Sequence, residues 1–303
     1  MRYLKVIVFQ NFYIVTGLRK GMPKKLIGGQ AVIEGVMMKT DKNMAVSVRL
    51  MNGKIRTKRE HLKRRKKWFK WPFIRGVINL YDVLVLGIKT LSWSANQQLE
   101  EKEKLTRTQL ALTILLSLGF GVLIFIVVPF FVTSAFPVKG FWFNLVDGII
   151  RVFVLIVYLL LISLMSDVRQ LFRYHGAEHK VVNCFEAGKN LDIKNVKKFS
   201  TLHPRCGTSF LVIVLVISIL VFSFIIGPWY IKLFGRILLL PVIASISYEI
   251  LRLGGRFKDK PFMKIINAPG MWIQKMSTKE PTPRQIEVAI NSFNAGLSME
   301  RFK

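Results

Sequence analysis

The sequence holds only two cysteines, Cys184 and Cys206, only four histidines, and 17 Asp+Glu against 46 Lys+Arg. Two cysteines are too few for a disulfide framework. On a cytosolic loop they are thiols or metal ligands. The glycines of GGQAVIEGVMMK (28–39) lack phosphate-loop spacing, so no nucleotide site is indicated. The first 20 residues look mildly like a secretory leader, but the apolar stretch is interrupted and no small-residue cleavage site follows. Met22 is a candidate start.

What is abundant is apolar residues and positive charge together. The chain is 51% hydrophobic with a formal net charge of +29, and its mean hydropathy is +0.38. Soluble domains are less apolar, and basic disordered chains much less so. The pairing fits an integral membrane protein with basic surface on one side. Four candidate spans follow: 108–134, which has no charge; 143–166, with Asp147 and Arg151 i,i+4 near its start; 208–231, also uncharged; and 234–251, with Pro241 inside and Glu249 near its end. Residues 1–107 hold 24 Lys+Arg, 166–207 hold 8 and 252–303 hold 10, whereas the two remaining loops hold one lysine each. Basic loops stay in the cytoplasm. The expected fold is therefore an α-helical polytopic membrane protein with about four transmembrane helices and a small α+β cytosolic part, both termini cytosolic.

The basic N-terminal region, 1–71, is expected to contain a β-hairpin. Val46, Val48 and Leu50 alternate, and Asn52-Gly53 signals a type I′ turn. GGQAVIEGVMMK reads as a companion strand, with Glu34 as a turn residue or a site carboxylate. LKRRKKWFKW (62–71) suits an anionic lipid surface, with ribosomal RNA as the other reading. Within 72–98, Arg75, Asp82 and Lys89 are spaced by seven and form one polar stripe on an amphipathic interfacial helix. In the tail, 252–303, Thr282, Pro283 and Gln285 form a helix start. Ile286, Ala289, Ile290, Phe293 and Leu297 then share one face.

Chemistry concentrates in the loop 167–207, which holds three of the four histidines and both cysteines. In RYHGAEH (173–179), His175 and His179 are i,i+4, so both imidazoles leave one helix face. Glu178, i+3 from His175, lies on the same side. His-x-x-Glu-His has the order of the inverted zincins, in which the glutamate serves as general base. If the second span continues as a helix past Ser166, His175 stands about 15 Å beyond the hydrocarbon. HPRCG (203–207) resembles a zinc knuckle with histidine in the first place, so His203 and Cys206 can grip one ion. His175, His179, His203 and Cys206 together would close a tetrahedron as a structural clip. Three of them would leave a position open for hydrolysis with Glu178. Cys184 reads as a packed thiol. Glu249 reads either as a further ligand or as an i,i+3 partner of Arg252.

GGQAVIEGVMM (28–38), RYHGAEHK (173–180), NCFEAG (183–188) and LHPRCGTSF (202–210) together resemble the YqhQ-like family of bacterial membrane proteins, from about Gly28 to the C-terminal helix. The resemblance implies a bacterial inner-membrane location and a metal dependence. His175, Glu178, His179, His203 and Cys206 stand at the matching motif positions, and Cys184 where variation is expected. Two functions are carried forward. One is a metal-dependent hydrolase with a zinc-like site on the cytosolic face, acting on a small-molecule substrate that the sequence does not name. The other is a basic membrane scaffold or accessory factor for ribosome, translocon or anionic lipid, with a structural metal.

Overall fold

The structure, a computed structural model, describes residues 15–17, 25–40, 42–62, 69, 71–99, 106–257 and 260–301. Met22, the leader-like start apart from 15–17, and residues 63–68 and 70 of LKRRKKWFKW lie outside the described residues. The first described unit is a five-stranded antiparallel meander, β1 (Val15–Gly17), β2 (Lys25–Val32), β3 (Gly35–Lys39), β4 (Asn43–Arg49) and β5 (Ile55–His61). The expected companion strand is in fact two, folded at Ile33-Glu34, where Val32 pairs with Gly35. Glu34 takes φ 53° there, a left-handed conformation uncommon for a residue with a Cβ.

The β4–β5 hairpin forms where expected, but not with a type I′ turn. The ladder ends at Arg49↔Ile55. Gly53 N–H donates to Leu50 O, and Leu50 N–H to Lys54 O. A type I′ turn needs positive φ at both central residues, and of Asn52 and Gly53 only Gly53 (φ 82°) has it. The connection is a wider turn closed by one left-handed glycine, with the Asn52 side chain accepting from Lys54 N–H.

Strand alternation gives the sheet two buried faces. Val32, Met37, Met44, Val46 and Val48 pack against Leu86, Leu91 and Trp93 of α1 (Ile74–Gln97). Ile27, Ala31, Val36 and Met38 form the other core with α5 (Ser166–Glu186) and α11 (Pro283–Arg301). The α11 start forms one half of the expected capping box: Thr282 N–H and Oγ1–H both donate to Gln285 Oε1, while Gln285 N–H donates to Thr282 O. Ile286, Ala289 and Phe293 are buried in that core, and Ile290 and Leu297 pack against it. The tail helix therefore closes this α+β unit.

The polar stripe of α1 faces protein. Arg75 holds Glu249 through both carboxylate oxygens, and Lys89 meets Glu60 of β5 at 2.5 Å. Glu249 also accepts from Phe73 N–H at 3.3 Å. It thus supplies the negative charge that the α1 N-terminus, lacking a capping side chain of its own, would otherwise miss. The partner of Glu249 is Arg75, not the Arg252 suggested by spacing.

The apolar helices depart from the expectation of four spans. Among the described residues, two segments are long and apolar enough to cross a membrane, Thr108–Ser134 and Gly140–Ser163 (α4). The first comprises α2 (Arg107–Val122), a π-helical turn (Leu123–Val127) and α3 (Val128–Ser134). A third exists only if α8 (Trp229–Leu238) and α9 (Leu240–Arg256), bent by 48°, count as one. The expected third span is the 16-residue α7 (Gly207–Phe222), short of the roughly 20 residues a crossing needs. It stops before Gly227-Pro228, where φ at Gly227 is 132°. The expected fourth span straddles the α8–α9 break at Leu239, where Pro241 opens the first turn of α9: it has no N–H for the carbonyl four residues back, and its ring crowds that carbonyl. Nor does α4 run on into the histidine segment. It ends at Ser163, and α5 starts afresh after Met165, whose ψ is 131°. α6 (Ile193–Val196) and α10 (Pro261–Ser277) complete the order.

α1 crosses α9 closely at Gly76, where a Cβ would stand 2.7 Å from Ser245 Cα. Gly76→Ala is expected to destabilise the protein by about 1–3 kcal/mol through overpacking. A lower thermal unfolding midpoint in detergent checks this.

Candidate metal centre

α5 is helical throughout its 21 residues, and its middle is buried on nearly every side, from Tyr174 to Val182. Such all-round burial is unusual for a segment of low apolar content. It follows from position. β2, β3, α11 and the 197–203 segment surround α5, and the chain between α10 and α11 crosses it. Gly176 permits that crossing, since a Cβ there would collide with Lys279 O. Lys279 N–H donates to Phe172 O at 3.0 Å. On the other side Lys180 donates to Lys197 O, and Asn183 to Ser200 O and Leu202 O.

His175 and His179 stand one turn apart with ring centroids 4.4 Å apart and planes at 72°. Each Nδ1 meets a backbone carbonyl. His175 Nδ1 lies 2.8 Å from Ser277 O, and His179 Nδ1 makes a short bond to Thr201 O. A carbonyl only accepts, so both Nδ1 atoms carry the proton and both Nε2 atoms present lone pairs. Cys206 Sγ lies 3.5 Å from His175 Nε2. One nitrogen from each of His175 and His179 and the Cys206 sulfur all lie within 4.8 Å of one another, and all three residues are buried. A neutral imidazole whose Nδ1–H is held by a carbonyl is the usual arrangement of a metal-ligating histidine.

Cys206 caps α7, its Sγ accepting from Thr208 N–H at 3.4 Å. The bend that delivers it is closed by Cys206 N–H to His203 O, 3.2 Å. Gln274 of α10 grips the same peptide from both sides. Its Oε1 accepts from His203 N–H at 2.7 Å, and its Nε2 donates to His203 O at 3.1 Å. Burial pushes the Cys206 thiol up to about 12, against the opposing pull of the Thr208 hydrogen bonds. A bound cation reverses that preference.

The structure does not bring His203 into this group. Its Nδ1 accepts from Arg205 N–H at 3.3 Å, which puts the proton on Nε2, 3.3 Å from Glu186 Oε1. Its ring centroid is 6.1 Å from that of His179. Cys184 is buried elsewhere, with its Sγ at 3.5 Å from Asn190 O. Glu249 sits at the α1–α9 contact. Glu34 accepts from Gln170 and from Tyr174 Oη, both at 3.2 Å, so it is a turn residue that reaches α5 one position before His175.

Glu178 is fully buried, and neither of its oxygens has a hydrogen-bond partner among the described residues. Its carboxyl lies against Gly29 of β2, where a Cβ would collide with it. It is not one of the three clustered groups. Burial holds its pKa well above the usual carboxylate range. Burial likewise lowers His175 to about 4 despite the Ser277 bond. His179 falls well below normal through burial and the neighbouring His203. The Thr201 and Ser277 carbonyls and Gln274 leave no mark near the histidine motif in sequence. Gln274 is one of several polar residues in α10, beside Lys264, Asn267, Lys275 and Ser277, and nothing in the sequence singles it out.

A family profile described as "Protein of unknown function (DUF1385)" matches residues 71–299. The chain is similar to "Uncharacterized protein YqhQ" of Bacillus subtilis (strain 168), 32% identical over 296 residues, covering 90% of this chain and 92% of the relative. No solved structure matches.

Two predictions follow from this geometry. Gln274→Leu strands His203 N–H, while His203 O keeps its bond from Cys206 N–H, so a loss of about 1–3 kcal/mol is expected for the one buried group left unpaired, and a fall in the chemical-unfolding midpoint measures it. In chelator, the depressed histidines cause stability to fall as pH drops from about 6.5 toward 4, because the unfolded imidazoles take up protons first. Glu178 acts oppositely, since it keeps its proton when folded and loses it when unfolded. Glu178→Gln should therefore steepen the acid loss by up to about 1.4 kcal/mol per pH unit, as read from unfolding midpoints between pH 4.5 and 6.5.

Proposed function

The chain belongs to the family described as protein of unknown function DUF1385, and on that premise we infer that it is a membrane protein holding one divalent ion, zinc by donor chemistry, on His175, His179 and Cys206. The observation that carries this reading is the shared tautomer. Two separate carbonyls, Ser277 O and Thr201 O, fix the proton on Nδ1 of each imidazole. That leaves each Nε2 lone pair free to bind, with Cys206 Sγ 3.5 Å from His175 Nε2 and a His179 nitrogen within 4.8 Å of both ligand atoms. Two imidazoles and a thiolate suit zinc better than calcium or magnesium. A cation also gives the buried Glu178 carboxyl an opposite charge nearby, which a fully apolar setting would deny it.

Three protein ligands leave a position for His203, for solvent or for substrate. A divalent ion there supplies Lewis acidity, and Glu178 is the buried carboxyl able to hold a proton, so a hydrolase acting on a small molecule is the first reading. The near-complete burial of all four groups favours a second, in which the ion is a structural clip joining α5 to α7. In that reading the basic surface, including exposed Arg56 and Arg59 of β5, meets anionic lipid, a ribosome or a translocon. The outward face of α1 carries Trp71, Phe73, Val77, Tyr81 and Leu84, which suits a helix lying in the interface. The charge bias of the loops supports a bacterial inner-membrane location with both termini and the centre on the cytosolic side.

Elemental analysis of the purified protein tests the centre. About one zinc per chain is expected, lost in His179→Ala and in Cys206→Ser and kept in Glu178→Gln. Equal metal in wild type and both ligand variants would refute it. Function that survives Glu178→Gln with metal still bound would select the structural reading.

A further inference from the structure

A second buried polar cluster lies where the helices are most apolar, well apart from the histidines. Asp147 and Arg151 of α4 pair i,i+4, with Arg151 Nε 2.9 Å from Asp147 Oδ2. Arg236 of α8 reaches the same oxygen, its Nη1 at 2.8 Å. Its Nη2 donates to Asn144 Oδ1 at 2.8 Å. All four residues are buried, and the side chains of the three charged ones are 4% exposed or less. Two guanidiniums share one carboxylate, so the cluster carries one uncompensated positive charge. A buried charge without a partner is costly.

Three rings offset part of that cost. Arg236 stands over Phe130 at 4.9 Å, Phe222 at 5.1 Å and Phe143 at 5.4 Å, and Arg151 over Phe222 at 5.0 Å. Ring faces do not satisfy every N–H. Arg151 Nη2 and Arg236 Nε are fully buried with neither a hydrogen bond nor an ion pair among the described residues. Asp147 Oδ1 is also buried without a hydrogen bond among the described residues, but the net charge of the three ionised groups still exceeds neutrality by the one unit that a small anion would supply.

The helices around the cluster are irregular. The π-helical turn Leu123–Val127 ends three residues before Phe130, and such turns gather at functional sites. Arg236 sits one turn before the α8–α9 bend, and interrupted helices mark ligand sites inside membranes. Ionisable groups within apolar spans point the same way. From Asp147 to Ser163 along α4 is about 24 Å, so the cluster and the α5 centre occupy opposite ends of that helix.

We propose that Arg151 and Arg236, bridged by Asp147 and ringed by Phe130, Phe143 and Phe222, form an intramembrane binding site for a single oxyanion of the phosphate class. The ligand accepts from Arg151 Nη2 and Arg236 Nε and brings the cluster to neutrality. Its source is either the headgroup of an anionic phospholipid or free phosphate. Asp147 is the bridge that offsets the repulsion between the two guanidiniums and keeps them side by side.

The test uses the full chain in nanodiscs, with the thermal midpoint as readout. Wild type in phosphatidylcholine discs should rise in midpoint when phosphatidylglycerol is blended in, or when inorganic phosphate is added. A response to the lipid alone identifies a headgroup site, and a response to phosphate alone a free-anion site. Arg151→Gln leaves one guanidinium on one carboxylate, a neutral pair, so the variant should fold and lose the anion-dependent rise. Asp147→Asn should start lower without anion and rise further with it. An equal rise in wild type and Arg151→Gln would place the anion on the basic surface and overturn the proposal. So would a wild-type midpoint that neither anion moves.

Discussion

Two hydrogen bonds set the chemistry of this protein, His175 Nδ1–H to Ser277 O and His179 Nδ1–H to Thr201 O. They come from two separate segments, one from the end of α10 and one from the stretch before α7. Each fixes a proton on the outer nitrogen and leaves the inner one basic. Without them the same two imidazoles would be free to exchange tautomers, and their lone pairs would not be aimed at one place. Everything packed around α5 serves this alignment. Lys180, Asn183 and Gln274 hold the 197–206 segment by its backbone, and Gly176 lets the 277–280 segment lie directly on the helix.

That alignment has an energetic consequence. Two neutral imidazoles, a protonated thiol and a protonated carboxyl buried together are each displaced from their ordinary titration, and each displacement weakens folding on one side of neutrality. A divalent ion removes most of the conflict, because it favours the thiolate and the lone pairs and neutralises a nearby carboxylate. The α+β unit and the apolar helices meet at this point, since Cys206 is also the cap of α7. A ligand there would tie the α+β unit to the apolar helices through single side chains.

The far end of α4 follows a different logic. There charge is not removed by protonation, because guanidinium keeps its proton. Asp147, the three phenylalanine rings and Asn144 share the burden instead. Both ends of α4 therefore hold polar groups that the apolar surroundings would otherwise reject. The helices nearest them are short, bent or interrupted rather than regular spans.

Local patterns were readable from the chain. The i,i+4 histidines, the Asp147–Arg151 pair, the α11 start with its apolar face, the β4–β5 hairpin and the placement of the apolar segments are properties of neighbours a few residues apart, and spacing determines them. The number of spans was not readable, because length on the page ignores where Gly227-Pro228 and Pro241 break the helix. Nor was the turn type at Asn52-Gly53, which depends on one φ angle. Least readable were the partnerships of Glu249 with Arg75, of His203 with Arg205 N–H and Glu186, and of each Nδ1 with its carbonyl. Backbone carbonyls carry no residue identity, and contacts between distant segments follow from how α1, α9, α10 and the sheet stack. The sequence alone determined which atoms could bind a metal; only the tertiary packing decided which of them face one another.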